Sequence, residues 1–362
     1  MADIVSSLKL DLTKDFFKPF FLAIEITNRC NLNCTMCFKR GLENQPSKHM
    51  SFEEFKTILD NVSPILGLNF IGLGEPLLNP DFKKMLEETR RRRLGVNFAT
   101  NGMLLTEDWA KTLIDLQIDK VTISIDATTK EAYENIRRGS NFELVKENVK
   151  RFTRLRKEAN STLPNITSAM TLSVSNIKEL PDMVDFGEEL GVSGISTLYI
   201  QALTKELEKE HLHNTPTEEV IKCYNKALEK ARKHNISLFL KHPTPKCLEC
   251  KTPWINPYID VYGDLYSCCL PGTEKVNVTE YYKDAPVKVN NRNLCFGNVF
   301  KQSFHDIWNG KEFNNYRKDC LKIFKEDENK EWTLESYLQL RKDNPDPKNY
   351  CKVCGVRFSV IC

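Results

Sequence analysis

The sequence predicts an α/β protein, folded as a partial β/α barrel of about six units with a small cysteine-rich domain after it. Two observations predict this class. Between about residue 20 and residue 200, short apolar runs alternate with longer amphipathic stretches, and such repeats form a parallel sheet covered by helices. Beyond that region the periodicity fades, and ten of the thirteen cysteines lie from Cys223 onward.

Each apolar run has the length of one buried strand. We expect strands at 20–26, 68–73, 95–100, 120–126, 166–174 and 194–200, and helices near 52–65, 80–93, 106–116, 129–157 and 178–190. Ser51, with Glu54 three residues later, predicts a capping box for the first helix. Thr215 caps a later helix that has Pro216 at its first position, and a further strand follows at 236–240.

The second half of the chain carries weaker signals. The segment PYIDVYGDLYSCC predicts a hairpin that turns at Gly263 and Asp264. No usable pattern is found at 270–294 or 311–345. We divide the chain into an extension at 1–19, a barrel with its connector at 20–240, and a C-terminal domain at 241–362.

Net charge and composition limit the classes of protein to which this chain can belong. The net charge of +3 is too small to indicate a nucleic-acid partner, and the basic run at 90–93 complements a helix dipole. No signal peptide is visible, and no apolar stretch approaches the ~20 residues of a membrane span. We therefore expect a cytoplasmic protein. Disulfides are disfavoured in that compartment, so closely spaced cysteines indicate metal.

Three cysteines with CxxxCxxC spacing, Cys30, Cys34 and Cys37, directly follow the first predicted strand. Three thiolates on one short loop can ligate three corners of a cubane iron–sulfur cluster. Since no fourth cysteine is near, one iron stays open to another ligand, as in catalytic metal sites. A zinc site is the alternative, but it needs a fourth ligand close by, and the nearest histidine is His49.

The triplet, its place after the first strand and the β–α alternation resemble the radical S-adenosylmethionine (SAM) superfamily over about residues 20–200. The resemblance implies that the open iron binds the amine and carboxylate of SAM. It also implies that an electron from the cluster cleaves SAM, and that the 5′-deoxyadenosyl radical takes hydrogen from a substrate. A reductant such as flavodoxin or ferredoxin is then a partner. The chain departs from the family at Met36, where an aromatic residue is common, although a thioether can also pack on adenine.

Further residues that match the family follow the second, third and fourth strands, at the edge where parallel barrels build active sites. By the resemblance, the GLGEP segment contacts the amino group of SAM through Gly74, Glu75 and Pro76. Asn101 follows the third strand, and Ser124 and Asp126 close the fourth, where contacts to the ribose or carboxylate of SAM are expected. Arg138, or Arg137 beside it, can supply a cation to that carboxylate; a solvated helix face is an equal alternative.

The C-terminal cysteines form a second group. Cys250, Gly263 and Cys268 give a C-x12-G-x4-C pattern, and a CxxC follows at Cys351 and Cys354. This resembles the twitch domain, a shortened SPASM domain, and implies one auxiliary 4Fe–4S cluster on those four cysteines. Zinc is the alternative, since four thiolates suit it as well. Cys269, adjacent to Cys268, is an alternative ligand.

Function is predicted from the two groups together. We expect hydrogen abstraction from a polar, sugar-like small molecule, with the auxiliary cluster accepting an electron. Modification of a peptide by crosslinking, oxidation or epimerisation is the alternative. It often uses an N-terminal recognition module of ~80 residues, and only 29 residues precede Cys30. A non-catalytic electron carrier has no use for an open iron. No catalytic residue is identified, and the candidates to donate hydrogen to a substrate radical are Cys269, Cys295 and Cys320.

Overall fold

Alternating strands and helices build the N-terminal part of the protein. The computed structural model describes residues 18–37, 39, 46–62, 64–241, 250–269, 278–289, 294–327, 330, 332–345, 347 and 349–354. The strands are β1 Phe21–Ile24, β2 Gly67–Phe70, β3 Gly95–Thr100, β4 Lys120–Ser124, β5 Asn165–Leu172, β6 Gly194–Tyr199, β7 Ser237–Phe239, β8 Tyr258–Ile259, β9 Asp264–Tyr266, β10 Val278–Glu280, β11 Val287–Val289 and β12 Cys295–Asn298. The α-helices are α1 Phe52–Val62, α2 Phe82–Arg91, α3 Glu107–Asp115, α4 Lys130–Ile136, α5 Phe142–Glu158, α6 Leu180–Leu190, α7 Lys205–Lys209, α8 Thr217–His234, α9 Thr252–Ile255, α10 Phe304–Trp308, α11 Lys311–Asp327 and α12 Leu334–Asp343.

One sheet runs through most of the molecule. Its strand order is β12-β9-β8-β1-β2-β3-β4-β5-β6-β7, and β1 to β7 are parallel neighbours in chain order. β8 adds to the other side of β1 in parallel, and β9 and β12 follow it antiparallel. Within the described ranges the sheet is open, with β7 and β12 at its edges. This confirms the predicted α/β class with a partial parallel barrel.

The helices bury their apolar faces on this sheet. Phe82 of α2 is fully buried and meets Phe70 and Phe98 edge-to-face, at centroid distances of 5.2 and 5.3 Å, a favourable geometry for aromatic pairs. The predicted capping box starts α1, because Glu54 N–H donates to Ser51 Oγ at 3.2 Å and Ser51 N–H donates to Glu54 Oε2 at 2.8 Å. Of the helices in the described ranges, none combines the length and apolar character needed to cross a membrane.

Two predicted helices differ from those observed. The single helix expected at 129–157 is two helices, α4 and α5, because Gly139 takes a left-handed φ of +87° and Asn141 caps α5 by accepting from Leu144 N–H at 3.0 Å. Thr215 does not cap α8: Pro216 occupies the N-cap position, and Thr215 instead ends a short 3₁₀ turn.

The helices α11 and α12 and the hairpin of β10 and β11 were not predicted.

Glu25 joins the N-terminal sheet to the C-terminal hairpin. It directly follows β1 and is 4% exposed. Its carboxylate accepts from Leu73 N–H at 2.7 Å and from Val261 N–H, in the turn between β8 and β9, at 3.3 Å. Burial raises its pKa to about 7, the two backbone donors oppose that rise, and nearby Asp260 adds to it.

Glu25 should therefore make stability depend on pH. Its neutral form is favoured in the fold, so its contribution is complete below pH 4.5 and is lost as pH rises through about 7. Relative to Glu25→Gln, the free energy of unfolding of the natural protein should fall by about 3 kcal/mol between pH 4.5 and pH 8. Denaturant titrations across this range measure it, with Glu53→Gln on the exposed face of α1 as control. A difference that stays constant with pH contradicts the assignment.

Candidate active site

The cysteine triplet lies on the loop after β1, and the end of α4 shapes this loop. Asn33 N–H donates to Arg138 O at 2.8 Å, and Thr35 N–H donates to Ile136 O at 2.9 Å. The main chain of the loop is therefore fixed on both sides of the second cysteine of the triplet. Sequence spacing predicted the ligands but not this support.

The three thiols share one electrostatic environment. Burial raises the pKa of Cys34 to about 11; the Arg137 guanidinium opposes the rise, and Cys37 and Cys30 add to it. Burial also raises the pKa of Cys30, with Cys37 again contributing. Cys37 thus lies close enough to both thiols to disfavour their ionisation, and a cationic iron site would remove that penalty because metal ligation requires thiolate.

The three triplet thiols suit an iron–sulfur cluster. Among the described residues, no group of three His, Cys, Asp or Glu side chains is placed to hold a single metal ion. A cubane takes its cysteines on separate irons, so its ligands need not converge. The spacing and softness of the triplet thiols therefore fit an iron–sulfur cluster.

The loop after β2 packs directly on the chain that leads to Cys30. A Cβ on Gly74 would lie 2.2 Å from Thr27 O and 2.7 Å from Arg29 O, both backbone atoms. Glu75 N–H donates to Arg29 O at 2.8 Å. Only glycine allows this approach, which brings the GLGEP loop beside the cysteine loop as predicted.

Glu75 is held by three donors. It is 2% exposed and accepts from Thr100 Oγ1 at 2.7 Å, Asn101 N–H at 2.7 Å and Leu77 N–H at 3.2 Å. Burial raises its pKa, and the Asn101 and Thr100 bonds oppose the rise. The Asn101 side-chain nitrogen lies 3.9 Å from Cys30 Sγ. Glu75 and Asn101, both predicted from sequence, therefore lie together at the first cysteine.

The predicted site residues at and after the end of β4 differ in burial and in their partners. Asp126 is fully buried; its Oδ2 lies 2.6 Å from Arg137 Nε in an ion pair, and its Oδ1 accepts from Thr171 N–H at 2.6 Å. Arg137 is therefore buried against Asp126, whereas the adjacent Arg138 is exposed and lines a cavity. Ser124, the last residue of β4, is half-buried.

A cavity of about 910 Å³ opens beside the triplet. Met36 and Cys37 line one part of it, and residues at the ends of β5 and β6 line another. Other parts of the wall come from α4, from α7 through Glu206 and Leu207, and from the C-terminal segment through Tyr281. Neither α7 nor Tyr281 carries a sequence signal that indicated this location.

The C-terminal cysteines also come together. Burial raises the pKa of Cys268 well above its usual range, and Cys269, Cys351, Cys354 and Cys250 each raise it further. Four of these are the ligands predicted from the sequence pattern. Cys269 interacts with Cys250 as well, so it stays an alternative ligand.

Other cysteines lie around this group. Cys320 is fully buried, and its Sγ lies 3.6 Å from Asn349 Nδ2. Cys295 is half-buried on β12, where its Sγ lies 3.8 Å from Gly297 O. Neither they nor Cys269 line the 910 Å³ cavity, so their role as hydrogen donors stays a prediction without support. Cys247 and Cys362 lie outside the described residues.

Two family models match the chain. Residues 24–187 match the radical SAM superfamily, and residues 250–355 match the SPASM iron–sulfur cluster-binding domain. Fold and site together define an enzyme that uses 4Fe–4S clusters and S-adenosylmethionine. The chain belongs to the radical SAM superfamily and carries a C-terminal SPASM domain.

The chain is similar to several known proteins. The chain is 28% identical over 318 residues to a tungsten-containing aldehyde ferredoxin oxidoreductase cofactor-modifying protein of Pyrococcus furiosus, covering 82% of this chain and 83% of that protein. Its fold is similar to that of anSMEcpe with bound SAM, with a TM-score of 0.66, 16% identity, and coverage of 94% and 97%. It is also similar to Streptococcus suis SuiB bound to the precursor peptide SuiA, with a TM-score of 0.63, 16% identity, and coverage of 83% and 67%.

Gly74→Ala should displace the cysteine loop. The added methyl group meets backbone oxygens that cannot rotate away, so we expect anaerobically reconstituted protein to hold about four fewer irons per chain. Gly187→Ala in α6 is the control, since its Cβ meets side-chain carbons rather than backbone, Ile195 Cδ1 at 2.9 Å and Val192 Cγ2 at 3.3 Å. Iron assay and thermal unfolding measure both variants. Full iron loading of Gly74→Ala contradicts the close approach.

Proposed function

We propose that this enzyme cleaves SAM reductively and uses the 5′-deoxyadenosyl radical to abstract hydrogen from a polar small molecule. The observation that carries the proposal is the cavity beside Cys37. Its volume of about 910 Å³ lies within the usual range of small-molecule sites, roughly 300–1,000 Å³. It therefore has room for the adenosyl part of SAM and for a substrate of modest size.

In this proposal the triplet holds the radical-forming cluster. When bound, that cluster supplies the electron that breaks the bond between the sulfur and the 5′-carbon of SAM. The Arg137 guanidinium favours the thiolate of Cys34 against the effect of burial. The Glu75 carboxylate, although it accepts three bonds, has lone-pair capacity left for an amine.

The cavity lining supports a polar substrate. Glu206, Glu210 and Arg138 bring charges of both signs, and hydroxyl groups follow β5 at Ser173 and Ser175. Polar groups placed in this way orient a ligand that carries hydroxyl or amine groups. The Pyrococcus relative is named for modifying a cofactor, which agrees with a small-molecule substrate.

We propose Cys250, Cys268, Cys351 and Cys354 as the ligands of one auxiliary 4Fe–4S cluster. Their thiols already interact in the fold. When bound, this cluster can accept an electron from a substrate radical, which makes the net reaction an oxidation. The same C-terminal segment lines the cavity through Thr279 and Tyr281.

Iron counts and cofactor cleavage should separate the two cysteine groups. The natural protein should hold about eight irons per chain, and Cys30→Ala and Cys354→Ala about four each. Only Cys30→Ala should abolish formation of 5′-deoxyadenosine from SAM and dithionite. Unchanged cleavage by Cys30→Ala would falsify the triplet assignment, and four irons with one zinc in the natural protein would remove the auxiliary cluster.

Substrate class can be tested without knowing the substrate. Reduced enzyme and SAM are incubated with extract of the source cells, separated into small molecules and peptides, and 5′-deoxyadenosine is measured. We expect the small-molecule fraction to stimulate its formation at least about threefold, and protease treatment to leave that stimulation intact. Stimulation found only in the peptide fraction and lost on protease treatment supports peptide modification instead. The Cys30→Ala variant is the control for background cleavage.

A further inference from the structure

The strand β10 and the two residues after it have two different faces. Thr279 and Tyr281 line the cavity. Glu280 and Tyr282, the residues between and after them, are each 1% exposed. This alternation is the ordinary period of an extended chain, so one short segment of the C-terminal domain faces the cavity on one side and a buried polar cluster on the other.

Arg341 holds the buried face of this segment. Its guanidinium is fully buried and donates to Glu280 Oε2 at 2.9 Å, to Glu280 O at 3.1 Å and to Ala285 O at 2.9 Å. The side chain and main chain of Glu280 are therefore fixed by one planar group. Lysine cannot reproduce this, because a single ammonium lacks the fork of donors.

The same arginine reaches the CxxC segment. Arg341 Nη1 donates to the Tyr337 hydroxyl at 3.2 Å, and that hydroxyl donates to Val353 O at 3.1 Å, one residue before Cys354. Tyr282 packs edge-on against the rings of Tyr337 and His211, at 5.5 and 4.4 Å. The cavity-facing segment is thus fixed both to the CxxC segment and to the connector that precedes α8.

Tyr281 itself is fixed at the end of β6. Its N–H donates to Ala202 O at 2.7 Å, and Ile200, Leu203 and Leu207 line the cavity with it. An aromatic ring with aliphatic neighbours suits a flat heterocycle. Met36 and Cys37 line the same cavity, so a cofactor held at the triplet would have its adenosyl part within reach of Tyr281.

We propose that Tyr281 binds the adenosyl end of SAM and that Arg341 is a positioning residue, which fixes Tyr281 through Glu280. The inference rests on the proposed function, since it takes the cavity as the site of SAM. It adds that the auxiliary-cluster domain completes the cofactor site of the barrel.

Binding of SAM and of S-adenosylhomocysteine to the anaerobically reconstituted full chain tests this. Tyr281→Ala should weaken both about tenfold, the usual size of one lost stacking contact, whereas Tyr281→Phe keeps the ring and should bind within about twofold of the natural protein. 5′-Deoxyadenosine alone should lose affinity in the same way, and methionine alone should not. An affinity of Tyr281→Ala equal to that of the natural protein, or a loss confined to methionine, overturns the proposal.

A double-mutant cycle tests the role of Arg341. Arg341→Lys should weaken SAM binding about fivefold in the natural background and have no further effect in Tyr281→Ala, since the two act on one contact. Tyr337→Phe, which removes only a hydroxyl group, is the milder second variant if Arg341→Lys does not fold, and Lys342→Met on the exposed side of α12 is the control. Equal effects in both backgrounds overturn the positioning role. If the natural protein binds no SAM, the proposed function fails; if it binds and only the cycle is additive, the inference alone fails.

Discussion

The buried ion pair of Asp126 and Arg137 is the interaction on which the active site depends. A buried charge is costly unless it is paired; here Asp126 pairs with Arg137 and also accepts from Thr171 N–H of β5. The pair therefore joins the end of β4 to its neighbouring strand and to the residue that ends α4. The carbonyl oxygens of Ile136 and Arg138, on either side of that arginine, then hold the cysteine loop.

Arg137 has two roles in this arrangement. Arg137 fixes the position of the loop, and its charge also favours the Cys34 thiolate, which burial disfavours. The loop after β2 contributes from the other side, where Gly74 allows contact with the backbone of Thr27 and Arg29. The cysteine loop is thus supported by main-chain contacts from the end of α4 and from the loop after β2. Its geometry therefore depends on backbone positions that few side-chain substitutions can change.

Much of this could be predicted from the sequence, because strand periodicity and cysteine spacing are local signals. The first six strands start within one residue of their predicted starts, and all except β3 end one to three residues early. β1, for example, ends before the polar Glu25. The choice between Arg137 and Arg138 could not be made, since it depends on the break at Gly139 that turns one side chain inward. By contrast, α11 did carry a signal: its buried Phe313, Tyr316, Cys320 and Phe324 recur at three- and four-residue intervals, which indicates an amphipathic helix.

The placement of Tyr281 shows why the cavity could not be read from the sequence. No motif surrounds it, and its position results from Arg341, some sixty residues later, and from Ala202, some eighty residues earlier. The barrel supplies the triplet and Glu75, which carry local sequence signals and which we propose as the residues that serve the chemistry of SAM. Much of the cavity wall comes instead from α4, α7 and the C-terminal segment, which lie far apart in the sequence. If the cavity is the substrate site proposed above, substrate choice depends in part on segments of the chain that carry the weakest sequence signals.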